Sequence, residues 1–223
     1  MDPSNTRRLV TERTLWIGGA QWAGKTTVAQ ILAMRHGLVH YSYDYHDARA
    51  HVTKAMSRPD RYPHRATIRS ADDEWVETSP RGMAQRALQS FQERFTMVLE
   101  ELATLPGSTS ILAEGWGLRP DLVQPHLRSP RQAIFLVPSD AFREQQLRDL
   151  SRARAFPADL GVSDPDRAQQ NRIARDILLA REVVDSAARL NLRVITVDGS
   201  MPPERIALLV EEHFRPHLEP WLY

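Results

Sequence analysis

No cysteine occurs in the 223-residue chain, which excludes disulfides and any cysteine-ligated zinc site. Lysine is almost missing too: Lys25 and Lys54 stand alone among 29 basic residues, the rest being arginines. Those 29 are balanced by 28 acidic residues for a net charge of +1. A dedicated duplex-binding surface carries a strong basic excess, so the balance argues against a nucleic-acid partner. No apolar run approaches the roughly 20 residues that span a bilayer. The polar stretch 1–13 has no secretory pattern, so the expectation is a cytoplasmic protein without membrane association. Repeats and low-complexity tracts are absent. A 42% hydrophobic content spread evenly along the chain suits a single domain over 1–223.

Glycine is sparse as well, at 10 residues, yet Gly18, Gly19 and Gly24 crowd into one short stretch. There an apolar strand near Thr14 to Gly18 runs into Gly19-Ala20-Gln21-Trp22-Ala23-Gly24-Lys25-Thr26, and a helical pattern follows from Thr27-Val28. This is the P-loop spacing. Backbone N–H groups of the turn face inward at a helix N-terminus and form a concave anion site. Gly19 and Gly24 permit the tight backbone, Lys25 reaches outer phosphates, and the Thr26 hydroxyl is suited to Mg²⁺. The expected nucleotide contacts are Gly19, Ala20, Gln21, Trp22, Ala23, Gly24, Lys25, Thr26 and Thr27.

Further along, apolar periodicity predicts strands at 38–43, 110–113, 132–137 and 192–197, separated by helices. The helix after the P-loop ends near Gly37, a long one begins at Ser79-Pro80, Ser139-Asp140 can cap one through Leu150, another long one begins at Asp164-Pro165, and the last covers about 202–213. The stretch 44–108 has no clear strand. Its first part, about 45–80, reads either as a solvated loop or as an insertion that embraces a substrate. Five strands with helical crossovers imply a parallel sheet with helices on both faces. Ligands bind such sheets at the carboxyl ends of the strands. That rule gathers the P-loop, Asp44, Glu114 and Asp198 on one edge.

Phosphoryl transfer needs a phosphate cradle, a metal ion, an oriented acceptor and cations for the charge on the transferring group. Thr26 and Glu114 are the candidates for Mg²⁺, with Glu114 also near the substrate. Asp44 is the candidate acceptor-binding base. Arg148, Arg152 and Arg154 fall in a segment, about 148–164, expected to act as a lid, with Arg148 and Arg152 the candidate phosphate donors. Arg172 and Arg175 follow early in the next helix and can point the same way. His46 and His51 near Asp44 and Asp47 fit no standard metal spacing.

The order of P-loop, Asp44, Glu114-Gly115-Trp116 with nearby Arg119, Arg-rich lid and Val197-Asp198-Gly199-Ser200 resembles the P-loop small-molecule kinases. That group includes nucleoside monophosphate kinases, shikimate and gluconate kinases, and chloramphenicol phosphotransferase. The resemblance implies strand order 2-3-1-4-5, ATP and Mg²⁺ as cofactors, adenine contacts from Asp198 and Gly199, and substrate contacts from Asp44, Glu114 and Arg119. Adenylate-kinase-like members end the third strand in Asp-Gly-Phe-Pro-Arg; here Glu114 replaces the Asp, no Pro follows, and Arg119 falls one residue later. The expected activity is transfer of a γ-phosphoryl group to a hydroxyl of a small molecule such as a nucleoside, sugar-like metabolite or antibiotic. Alternatives are a nucleoside monophosphate kinase, a polynucleotide 5′-hydroxyl kinase, and a P-loop switch without kinase activity. Oligomeric state is open.

Lys25→Ala removes the P-loop side chain able to neutralise outer phosphates. Its expected outcome is loss of turnover with the fold intact; wild-type turnover in a folded variant would refute the phosphate assignment.

Overall fold

Residues Thr14–Gly19 (β1) are buried at every position, as a strand in the middle of a parallel sheet covered on both faces must be. The computed structural model describes residues 10–63, 68, 70–107, 109–150 and 161–218. After β1 come α1 (Lys25–His36), β2 (Val39–Ser42), a helical stretch over 43–56 (α2), α3 (Pro80–Leu102), β3 (Ile111–Glu114) and α4 (Pro120–Val123). The second half holds β4 (Ala133–Pro138), α5 (Asp140–Asp149), α6 (Pro165–Arg189), β5 (Arg193–Val197) and α7 (Pro203–Phe214). All strand pairings are parallel, in the order β2-β3-β1-β4-β5 that the resemblance implies.

Alternating side chains divide the core into two layers. Trp16, Ile111, Ala113 and Phe135 face α3 and α6, which cover them with Phe91, Phe95, Val98 and Val183. Leu15, Ile17, Leu112, Ile134 and Leu136 face the other way, against Val28 and Leu32 of α1 and Ile206 and Val210 of α7. Register then aligns the strand ends. Glu114 lies beside both Ile17 and Ser42, Gly19 beside Leu136, and Val197 beside Pro138. Caps start the long helices where the sequence predicts. Ser79 accepts from the Gly82 N–H, Ser139 from Phe142 and Asp164 from Arg167. No described helix is long and apolar enough to cross a membrane.

Two boundaries and the segment after β2 depart most from expectation. Gly24 adopts a left-handed conformation (φ 73°) as the N-cap, so α1 begins at Lys25 and not at Thr27. β2 stops at Ser42, because Tyr43 turns inward to pack edge-on against Phe91 with ring centroids 6.3 Å apart. The chain then continues as helix, with a π-type widening over Asp47–His51. The start of the 45–80 segment is therefore not a solvated loop. Tyr43, Asp47, His51 and Ala55 are its buried stripe, at the four-residue spacing of one helix face. The stripe lacks the usual hydrophobic signature because two of its members are polar. Asp47 is matched by Arg94 at 2.8 Å and His51 Nε2 by Glu101 at 3.0 Å.

Phe135 is fully buried on the interior strand β4. Truncating Phe135 to Ala should cost about 3–5 kcal/mol of unfolding free energy, read as a lower urea midpoint at unchanged slope.

Candidate active site

The P-loop wraps a bowl at the carboxyl end of β1. At Gly19 (φ 125°) the backbone passes so close to β4 that any side chain would meet the Leu136 carbonyl, and the next N–H, of Ala20, donates to that carbonyl at 2.9 Å. Lys25 is buried, and its Nζ donates to the Ala20 carbonyl at 2.6 Å. Burial pushes its ammonium below the ordinary lysine range; Asp44 and Glu114 offset part of that, and the charge of Arg119 adds to it. Trp22 has a positive φ of 66°, rare for an aromatic residue. A cavity of about 490 Å³ opens over this loop, lined by Gln21, Trp22, Lys25, Thr26, Thr27 and Asp44. The first-turn N–H groups of α1 and the buried ammonium suit this bowl to phosphate oxygens.

Two carboxylates flank the bowl, and their environments push them apart. Glu114, fully buried at the end of β3, accepts from the Thr26 hydroxyl at 3.2 Å. Burial raises its pKa, but polar contacts from His40 and Ser42 and the Lys25 charge outweigh that, leaving it below the ordinary glutamate value. His40 Nε2 stands 3.6 Å from Glu114 Oε1, too far for a hydrogen bond, and that oxygen has no hydrogen-bond partner among the described residues. An ionised carboxylate with a spare oxygen beside a hydroxyl fits Mg²⁺, which takes one or two protein oxygens and fills the rest of its shell with phosphate and water. No cluster of three or more His, Asp or Glu suited to a metal occurs among the described residues. His46 Nδ1 and His51 Nε2 both contact Glu101 (3.2 and 3.0 Å), away from Asp44.

Asp44 lies in the first turn of α2, at the mouth of the cleft. Its Oδ1 accepts from the Trp116 N–H at 3.2 Å. Crowding by protein raises its pKa above the ordinary aspartate value, against the pull of Lys25 and with help from Glu114. Gly115 (φ 149°) makes that contact possible: a Cβ there would lie 2.5 Å from Tyr43 Cβ and 3.0 Å from Asp44 Oδ1. At Gly117 a side chain would strike the Tyr43 ring itself.

On the far side of Trp22 a cavity of about 580 Å³ is bounded by Phe142, Val197, Gly199, Met201 and Ile206. Its apolar walls suit a flat base. Asp198 does not line it. Its carboxylate is exposed and accepts from the Ser200 N–H (2.9 Å) and hydroxyl (2.6 Å), which lower its pKa. Its role is to hold the turn that presents Gly199.

A third cavity, of about 290 Å³, lies between α2, α3, the Asp73–Glu77 turn and α6, and reaches the P-loop at Gln21. Asp47, Trp75, Arg94, Trp116, Arg172 and Arg175 are among its walls. Arg172 also sits over the Trp22 ring at 5.4 Å, bridging the loop and this cavity. Arg172 and Arg175 therefore do point one way, as their spacing suggests. Arg119 does not join them: it is buried, lines none of the three cavities, and bonds the Leu179 carbonyl (2.7 Å) and Glu182 of α6. It anchors α4 to α6, apart from the three cavities where the sequence reading expects a substrate ligand. Arg148 is exposed near the end of α5 and borders none of the three cavities; Arg152 and Arg154, like 151–160 as a whole, lie outside the described residues. Arg58 and Arg61 are exposed, and Arg61 pairs with Glu100 at 3.4 Å. Sequence reasoning missed Trp75 and the α3 wall. Met83, Arg86, Ala87, Ser90, Phe91 and Arg94 recur at helical spacing, a signal masked by the apolar stripe beside them.

Sheet order and loop together define a parallel α/β domain with a P-loop after its first strand. No family model matches the chain, and neither does any curated protein. Among solved structures the chain is similar to the shikimate kinase from Acinetobacter baumannii in complex with shikimate, at 17% identity and a TM-score of 0.43, covering 96% of this chain and 99% of that one.

A raised carboxyl pKa in the fold means that ionising Asp44 opposes folding. Stability is lost as pH rises from the unfolded-state value through the folded one. Asp44→Asn should therefore unfold at a higher temperature than wild type at neutral pH, with the difference vanishing below the ordinary aspartate range; a variant less stable at pH 7 would contradict the assignment.

Proposed function

We propose that the protein is an ATP- and Mg²⁺-dependent phosphotransferase that moves the γ-phosphoryl group to a hydroxyl of a small molecule. The observation that carries this reading is the meeting of a phosphate bowl and a second, separate cavity at Gln21, with Asp44 beside the junction on the Trp116 N–H. A switch or simple NTPase needs the first cavity; only a transferase needs both. In this reading ATP lies along the P-loop with its base between Phe142 and Gly199, and Lys25 and the α1 N–H groups neutralise its phosphates. Thr26 and Glu114 hold Mg²⁺, whose role is to shield phosphate charge. Asp44 orients the acceptor hydroxyl and takes its proton as the oxygen bonds to the γ-phosphorus and the bond to ADP breaks. Its raised pKa makes it a better proton acceptor than an ordinary aspartate. Arg172, buried at the edge of the second cavity and set over the Trp22 ring of the P-loop, supplies a cation for the developing charge.

A nucleoside monophosphate acceptor would call for a phosphate grip from the Arg58–Arg69 segment: Arg58 and Arg61 do not border the second cavity and Arg61 is paired with Glu100, while Arg65 and Arg69 lie outside the described residues.

Acceptor-stimulated ADP release from the purified protein tests the class. Asp44→Asn should lower single-turnover transfer by ~10² to 10⁴ with little change in ATP affinity, whereas Glu114→Gln should weaken both ATP·Mg²⁺ binding and transfer. Full activity in Asp44→Asn would rule out the base assignment.

A further inference from the structure

Resting on the phosphotransferase reading, we infer that the cavity beside the P-loop takes an uncharged alcohol that carries a flat aromatic ring. Three features of the cavity converge on this chemistry.

Its walls are aromatic and held in place. Trp75, Trp116 and Phe91 all line it, and Phe91 meets Trp116 edge to face with centroids 4.7 Å apart. The Arg175 guanidinium lies 5.0 Å from the Trp75 centroid and 5.4 Å from that of Trp116. Asp176 Oδ1 fixes that guanidinium through its Nε (3.0 Å) and Nη2 (2.7 Å). Flat rings and a planar cation set in advance favour a planar guest, because little ordering cost remains on binding.

Its charges are already matched. The guanidiniums of Arg86, Arg94, Arg172 and Arg175 line the cavity, together with the carboxylates of Asp47 and Glu74. Asp73 stands 3.5 Å from Arg86, Asp47 2.8 Å from Arg94, and Asp176 2.7 Å from Arg175. Arg86, Arg94 and Arg175 each have their own counter-ion and Arg172 feels the charge of the same Asp176, so a phosphate dianion entering here would meet mostly paired cations and would lose its water for little gain.

Its neutral hydrogen-bonding groups are few. Apart from the indole N–H groups, Gln21 and Ser90 are the uncharged polar side chains among the described residues that line it. A polyol would bring many hydroxyls with few partners, and unpaired buried hydroxyls are costly. One hydroxyl reaching Asp44 and a ring against the tryptophans is the better match.

Calorimetric titration of the purified full chain tests this, with and without a saturating non-hydrolysable ATP analogue and Mg²⁺. The probes are adenosine, thymidine and 2-(4-hydroxyphenyl)ethanol as ring-bearing alcohols, shikimate, gluconate and myo-inositol as alcohols without an aromatic ring, and AMP as the charged partner of adenosine. At least one ring-bearing alcohol should bind ten-fold or more tightly than all of the others. Trp75→Leu should weaken that binding roughly ten-fold, and Trp75→Phe should restore most of it, with affinity for the ATP analogue equal in all three proteins. Tighter binding of AMP, shikimate, gluconate or inositol, no binding of any ring-bearing alcohol, or indifference to Trp75→Leu would overturn the inference. Failure of the ATP analogue to bind would instead overturn the phosphotransferase reading, so the two are told apart in one experiment.

Discussion

Parallel pairing of β1 with β3 on one side and β4 on the other is the constraint on which everything else in this molecule depends. It sends the carboxyl ends of the strands to one edge, so residues far apart in sequence arrive together. Thr26 and Glu114 are separated by 88 positions and Asp44 and Trp116 by 72, yet each pair shares a hydrogen bond. The same register buries Glu114 completely, because its side chain follows the parity of Leu112 toward α1. A carboxylate in that position stays ionised only because His40, Ser42 and Lys25 surround it.

Burial and charge are balanced differently at each titratable group of the edge. Lys25 is pulled below its ordinary range by burial although two carboxylates face it. Asp44 is pushed up while Glu114 is pulled down. Two carboxylates near one ammonium thus acquire opposite tendencies, one toward binding cations and the other toward exchanging protons. Their division of labour comes from backbone position: Glu114 ends a central strand, whereas Asp44 sits past the end of an outer one.

The features legible in the sequence are those written in backbone chemistry and in periodicity. Gly19 and Gly24 mark the loop, apolar runs mark the strands, and Ser79, Ser139 and Asp164 mark the helix starts; the parallel sheet and the gathering of Asp44 and Glu114 at its carboxyl edge follow from them, whereas the strand order and Gly199 came from the resemblance to P-loop kinases. What escaped depended on long-range partners. Arg119 reads as a substrate ligand in the sequence, whereas the structure pairs it with Glu182, 63 residues away. α2 was hidden because its buried stripe holds Asp47 and His51, whose partners lie on α3. The walls of the third cavity were hidden for a related reason: one helix, α3, faces both the core and the cavity, and its apolar side dominates the pattern.

The close approach of Gly115 and Gly117 to Tyr43 bears on how this sequence can vary. The ring of Tyr43 fills the volume that side chains at 115 and 117 would otherwise occupy, so the three positions share one fixed allotment of space. Enlarging Gly117 displaces the ring, and with it the helix turn carrying Asp44; shrinking Tyr43 alone leaves a void beneath the cleft. Relatives of this chain should therefore change positions 43 and 117 in opposite directions of size, and position 115 should stay glycine wherever the aspartate-to-backbone contact is kept.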